Sequence, residues 1–194
     1  SIKKAYEYLY SRTCARKSLS LLFDLDELNI PLLARPGAPP MLENGFGQIS
    51  ISYCNNAVLI GWSKYNIGVD IEQSIRVKSS QKLLNRFFKE LKNNEHNIET
   101  KTSLEEKMLN YWLVKEAAFK YMKEKTFSEL VSWIYNENDD FAYKKNKELK
   151  VNVKVLKYKL WNICLAFDNK IQVKDDFVLC DCFNYYDPSL SKYE

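Results

Sequence analysis

The chain contains a single histidine, His96, and no pair at CxxC spacing among Cys14, Cys54, Cys164, Cys180 and Cys182. Nitrogen and thiolate ligands are therefore too few and too poorly spaced for a zinc site. An odd cysteine count in 194 residues also argues against a disulfide scaffold. Free thiols in a reducing cytoplasm are expected. No apolar run approaches the roughly 18 residues of a membrane span, and no signal-peptide pattern opens the sequence. Because the first residue is Ser1, some N-terminal residues are expected to be missing. Low-complexity segments and close repeats are absent. Glycine is scarce, at five residues, so Gly68 stands out within an apolar run. The stretch "RPGAPP" at 35–40 must be a loop, since its prolines cannot donate backbone hydrogen bonds.

What is present is ordinary globular material. With 46% hydrophobic and 28% charged residues, including 13 Tyr and 10 Phe, the chain can build one large domain or two small halves sharing a core. A net charge of +4 fits an anionic ligand or an acidic protein partner as well as it fits nucleic acid.

Periodicity predicts a helix from Ala5 to Phe23 whose basic face carries Arg12, Arg16 and Lys17. From Gln48 the period changes to two, and three short strands ("ISISY", "AVLIGW", "IGVDI") joined by tight turns predict a meander. An amphipathic helix is expected over 83–91 and an exposed linker over 92–101. Thr102 and Ser103 stand at capping-box spacing before Glu105 and Glu106, so a long helix should run from there to about Lys123. Strands are expected at 130–135, 149–158, 161–167 and 176–183. The expected fold class is α+β, in two similar halves, 1–72 and 73–194, each a small antiparallel sheet packed on a long helix.

Asp70 and Glu72 lie two apart in a strand, so they project from one face about 6.5–7 Å from each other. Neighbouring carboxylates repel unless a cation or a shared proton relieves them, and such oxygens suit magnesium or manganese. In "YWLVKEAAFKYMK", Trp112, Glu116 and Lys120 share one helix face beside an apolar stripe of Leu113, Ala117 and Tyr121. A Glu–Lys pair at this spacing is common on exposed helices, where it contributes only about 0.2–0.5 kcal/mol. Its interest here is its occurrence together with the D-x-E strand.

"IGVDIE" at 67–72, "RFF" at 86–88 and "WLVKEAAFK" at 112–120 occur in the order of a known pattern. The chain resembles the 4′-phosphopantetheinyl transferases, in particular the monomeric, pseudo-dimeric type (the surfactin-synthetase-activating type) that serves peptide and polyketide synthases. The resemblance implies a pseudo-twofold fold and a cytoplasmic monomer without nucleic-acid or membrane partners. It implies transfer of phosphopantetheine from coenzyme A to a serine of an acyl or peptidyl carrier protein, with release of 3′,5′-ADP, in fatty-acid or secondary-metabolite synthesis. By the same resemblance Asp70, Glu72 and Glu116 hold Mg²⁺ (or Mn²⁺), and Glu116 and Lys120 act in catalysis. Lys115 and Lys120 contact phosphate, although Lys115 points about 100° away from Glu116 on a helix. Gly68 leaves room for the nucleotide. Ser52 and Tyr53 occupy positions where the family contacts the 3′-phosphate, but Tyr53 stands where it usually has histidine. A phosphate-binding "GKP" appears as Gly37-Ala38-Pro39, without the lysine, and no glycines follow the lysine helix. Arg12, Arg16 and Lys17 could compensate.

Two other readings share these ingredients. A magnesium-dependent nuclease would use an E-x-K strand, whereas Glu116 and Lys120 are four apart in a helix-forming segment. A non-catalytic relative that binds nucleotide or carrier would fit the lost histidine and lysine. In the transferase reading, the acidic carrier is expected to dock on Arg76, Lys78 and Arg86 beside Phe87 and Phe88.

Overall fold

Apolar side chains at helical spacing bring Cys14, Ala15 and Leu19 to the buried face of helix α1 (Ile2–Phe23). That face packs on Ile30, Leu32, Leu42 and Ile49. The helix end is closed by Phe23, which meets Phe46 and Trp62 edge-on at centroid distances of 5.3 and 5.6 Å. The computed structural model describes residues 2–35, 38–43, 45–55, 57–73, 101–145 and 147–170. Among them no helix is long and apolar enough to cross a membrane. Two short paired strands, β1 (Leu32–Leu33) and β2 (Met41–Leu42), flank the proline-rich stretch, of which residues 36–37 lie outside the described residues.

Period-two alternation from Gln48 produces an antiparallel hairpin of β3 (Gln48–Cys54) and β4 (Ala57–Ser63). Asn55 takes the left-handed conformation (φ 52°) that the tight turn requires and that asparagine tolerates. The third strand expected for the meander, β5 (Ile67–Gln73), does not join this hairpin. It pairs antiparallel with β9 (Trp161–Phe167) and forms the edge of a sheet that continues through β8 (Lys147–Tyr158), β7 (Phe141–Lys144) and β6 (Ile134–Asn136). Burial explains the difference. Gly68, Val69, Asp70 and Ile71 are all buried, so both faces of β5 are covered, which a meander strand with one wet face does not achieve. The strand at the expected seam thus has its hydrogen-bonded partner in the C-terminal sheet.

Helix α2 (Lys101–Tyr121) covers that sheet. Its expected stripe is buried: Leu113 and Ala117, with Val114 and Ala118, pack on Trp133, Val151, Val153, Cys164 and Ala166, and Tyr121 lies against the same cluster. Thr102 and Ser103 fall inside the helix rather than capping it. A capping box occurs instead at Thr126–Glu129, where each residue's side chain accepts from the other's backbone N–H. It starts a short helix, α3 (Phe127–Val131), so the strand expected over 130–135 is reduced to β6. The helix expected at 83–91, the linker up to residue 100 and the strand at 176–183 lie outside the described residues.

Gly68 sets the spacing between sheet and helix. A Cβ at this position would collide with the carbonyl oxygen of Ala117 and sit 2.5 Å from the amide nitrogen of Tyr121. Both obstacles are helix backbone, which no rotamer change can move. Gly68→Ala should therefore lose more than about 3 kcal/mol, beyond the usual range for overpacking. Gly45→Ala has open space and only a strained φ of +94°, so it should lose about 1–2 kcal/mol. Urea denaturation of the two variants checks this, and equal losses would remove Gly68 from its spacing role.

Candidate active site

Alternation along β5 puts Gly68, Asp70 and Glu72 on the face turned toward α2. Since Ala117 and Tyr121 press on Gly68, the neighbouring helix positions 116 and 120 are carried beside Asp70. Lys120 Nζ donates to Asp70 Oδ1 at 2.6 Å, to Ser52 Oγ at 3.0 Å and to the Val69 carbonyl at 3.2 Å. Ser52 Oγ in turn donates to the same Asp70 oxygen at 2.6 Å. The three side chains close a triangle that joins the hairpin, the sheet edge and the helix.

Asp70 is only 5% exposed, so its charge needs this company: an uncompensated buried carboxylate is strongly unfavourable. The outer edge of β5 is satisfied in the same way. Val69 donates its N–H to Ser50 Oγ at 3.0 Å, while its carbonyl accepts from Lys120, so side chains replace a neighbouring strand. Further along, Cys54 Sγ donates to Glu72 Oε2 at 3.2 Å and Asn55 donates to Gln73 at 2.7 Å.

Glu116 is partly buried against this cluster. Its carboxyl is pushed up from 4.5 to about 7, mainly by desolvation and then by the charge of Asp70. Lys120 opposes the rise and Glu72 adds slightly to it. The three carboxylates expected from sequence are therefore within electrostatic reach of one another. Among the described residues, no three His, Cys, Asp or Glu side chains are grouped closely enough, as they stand, to hold a metal ion. The donor chemistry nevertheless fits a hard divalent cation. Asp70 Oδ2 is buried without a hydrogen-bond partner, and three mutually repelling carboxylates are what such a cation relieves.

Several residues read as ligand contacts make contacts within the fold. At Gly68 the place a Cβ would occupy is filled by the backbone of α2. Lys115 is 4% exposed and donates to the carbonyls of Val131 and Trp133, tying α2 to the segment before β6. Arg16 donates to the carbonyls of Glu27, Ile30 and Leu32, and so clamps α1 to the chain that follows it. Arg12 donates to Ser11 and stacks on the Tyr8 ring at 4.1 Å. Lys17 is half-buried on the same helix. Tyr53 is exposed, on the face of β3 opposite Ser52. Ser52 does reach the site, but through Asp70 and Lys120. Ser50 and Cys54 also face the site, and the sequence alone does not mark them. Their one signal was polar alternation with Ser52, and nothing in the sequence says which strand that face meets.

The family model of the 4′-phosphopantetheinyl transferase superfamily matches residues 66–173, more than half of the chain. Asp70, Glu72, Glu116 and Lys120 fall inside that match, and Ser52 and the basic residues of α1 fall outside it. No curated protein matches the chain.

Because the folded-state pKa of Glu116 lies above its ordinary value, the protonated form is the one that folding favours. Its contribution to stability is complete below about pH 4.5 and is lost as pH rises through about 7. Glu116→Gln fixes the neutral state. Without divalent metal it should leave stability nearly unchanged at pH 5 and raise it at pH 8 by up to about 3 kcal/mol. Melting curves at the two pH values test this; a variant less stable than wild type at pH 8 would contradict the crowded-carboxylate picture.

Proposed function

Since the chain belongs to the 4′-phosphopantetheinyl transferase superfamily, we propose that it is a holo-carrier-protein synthase. It would transfer 4′-phosphopantetheine from coenzyme A to a serine of an acyl or peptidyl carrier protein. The observation that carries the reading is the convergence of Asp70, Glu116 and Lys120 where β5 meets α2. The pairing of α1 with the β3–β4 hairpin, and of α2 with the five-stranded sheet, supports a two-half, pseudo-twofold organisation and a monomer.

Asp70, Glu72 and Glu116 would hold the divalent cation, proposed as Mg²⁺. When bound, it would supply positive charge against the pyrophosphate of coenzyme A as negative charge develops there. Glu116, beside the place where the pyrophosphate would lie, would take the proton of the carrier serine hydroxyl. The serine oxygen then bonds to the β-phosphorus, the bond from that phosphorus to the bridging oxygen breaks, and 3′,5′-ADP leaves with the electron pair. Lys120 lies 2.6 Å from Asp70 and brings a fixed ammonium to the place where the phosphates would lie. The rest of its coordination by Ser52 and Val69 keeps that ammonium from swinging into solvent. Arg76, Lys78, Arg86, Phe87 and Phe88, the expected carrier-docking residues, lie outside the described residues.

Incubation of the chain with coenzyme A, magnesium and an apo carrier protein should add a phosphopantetheine group to the carrier, read by intact-protein mass. Asp70→Ala and Lys120→Ala should each lower the rate at least about 100-fold. An unmodified carrier with every metal and carrier offered would sink the transferase reading. Full activity in both variants would move the site elsewhere.

A further inference from the structure

β3 presents a row of hydrogen-bonding groups to β5. Ser50, Ser52 and Cys54 alternate onto one buried face of the strand. Ser52 and Cys54 are two residues apart, as are Asp70 and Glu72, and the two pairs meet in register. Ser52 Oγ donates to Asp70 Oδ1 at 2.6 Å and Cys54 Sγ donates to Glu72 Oε2 at 3.2 Å. The serine and the cysteine thus each hold one oxygen of one carboxylate.

We propose that Cys54 is a positioning residue: its thiol hydrogen bond orients Glu72 for a divalent cation, as Ser52 orients Asp70. The inference rests on the reading of Asp70, Glu72 and Glu116 as the metal-holding carboxylates. Cys54 is 1% exposed and packs with Ile71 and Ile163, a setting in which a cysteine ordinarily serves as a small apolar filler. Here its proton points instead at a carboxylate. The matching state of Asp70 shows what such holding does: Oδ1 is saturated by Ser52 and Lys120, and buried Oδ2 is left without a partner. Glutamate has one more rotatable bond than aspartate, so Glu72 has more freedom to lose and gains more from being held. Groups that orient a metal ligand in this way typically change metal affinity 10–100-fold.

The test measures Mn²⁺ affinity by electron paramagnetic resonance on the full chain, without coenzyme A or carrier, beside melting temperatures. The variants are Cys54→Ala, Cys54→Val and Cys54→Ser. Alanine and valine remove the donor, and valine also keeps the volume. Both should bind Mn²⁺ roughly 10-fold more weakly. Serine keeps a donor and should bind close to wild type, even though its hydroxyl sits in an apolar cluster and lowers the melting temperature. Affinity would then follow the donor and not stability. Wild-type affinity in both the alanine and valine variants overturns the proposal. So does affinity that falls in step with melting temperature across the series. If wild type binds no Mn²⁺, or binds it equally well after Asp70→Ala and Glu72→Gln, the metal reading itself is wrong and the role of Cys54 falls with it.

Discussion

The backbone contact between Gly68 and helix α2 is the constraint on which the candidate site depends. A strand and a helix normally stand apart by the depth of two side chains. Here one partner has none, and the helix backbone at Ala117 and Tyr121 rests directly on the strand. Only at that separation can Lys120 reach Asp70, Ser52 and the Val69 carbonyl together. A sheet-to-helix gap wider by one methyl would lengthen all three bonds at once.

The same closeness generates the electrostatics. Three carboxylates and one ammonium crowd a partly dry seam, and hydrogen bonds satisfy some of the oxygens but not Asp70 Oδ2. Burial first, and then the charge of Asp70, make Glu116 hold its proton to about neutral pH against the opposing charge of Lys120. A site arranged this way is less stable than an apolar seam of the same size would be. Stability is supplied around it: by the α2 cluster with Trp133 and Leu113 wholly buried, and by the Phe23, Phe46 and Trp62 group under α1.

Two of the basic residues read as ligand-binding hold the fold together. Arg16 and Lys115 both donate to backbone carbonyls of segments outside their own helices. A long cationic side chain suits that use, since its stem buries apolar area while its tip supplies several donors. Charge on a helix face therefore says little about function until its acceptors are known.

Local spacing by itself determined α1, the β3–β4 hairpin, the buried stripe of α2 and the shared faces of Asp70 with Glu72 and of Glu116 with Lys120. Each of these follows from a period of 2 or 3.6 along a continuous stretch. The short helix α3 begins at the Thr126–Glu129 box, but Leu130 to Tyr135 has strand composition, and the sequence reading follows that composition. Tertiary structure alone decided that β5 pairs with β9 and not with β4, that Gly68 lies against the backbone of α2, and that Cys54 meets Glu72. Those outcomes depend on which buried faces find each other across long stretches of chain. A residue's own neighbours in sequence carry no record of the strand that will lie opposite it.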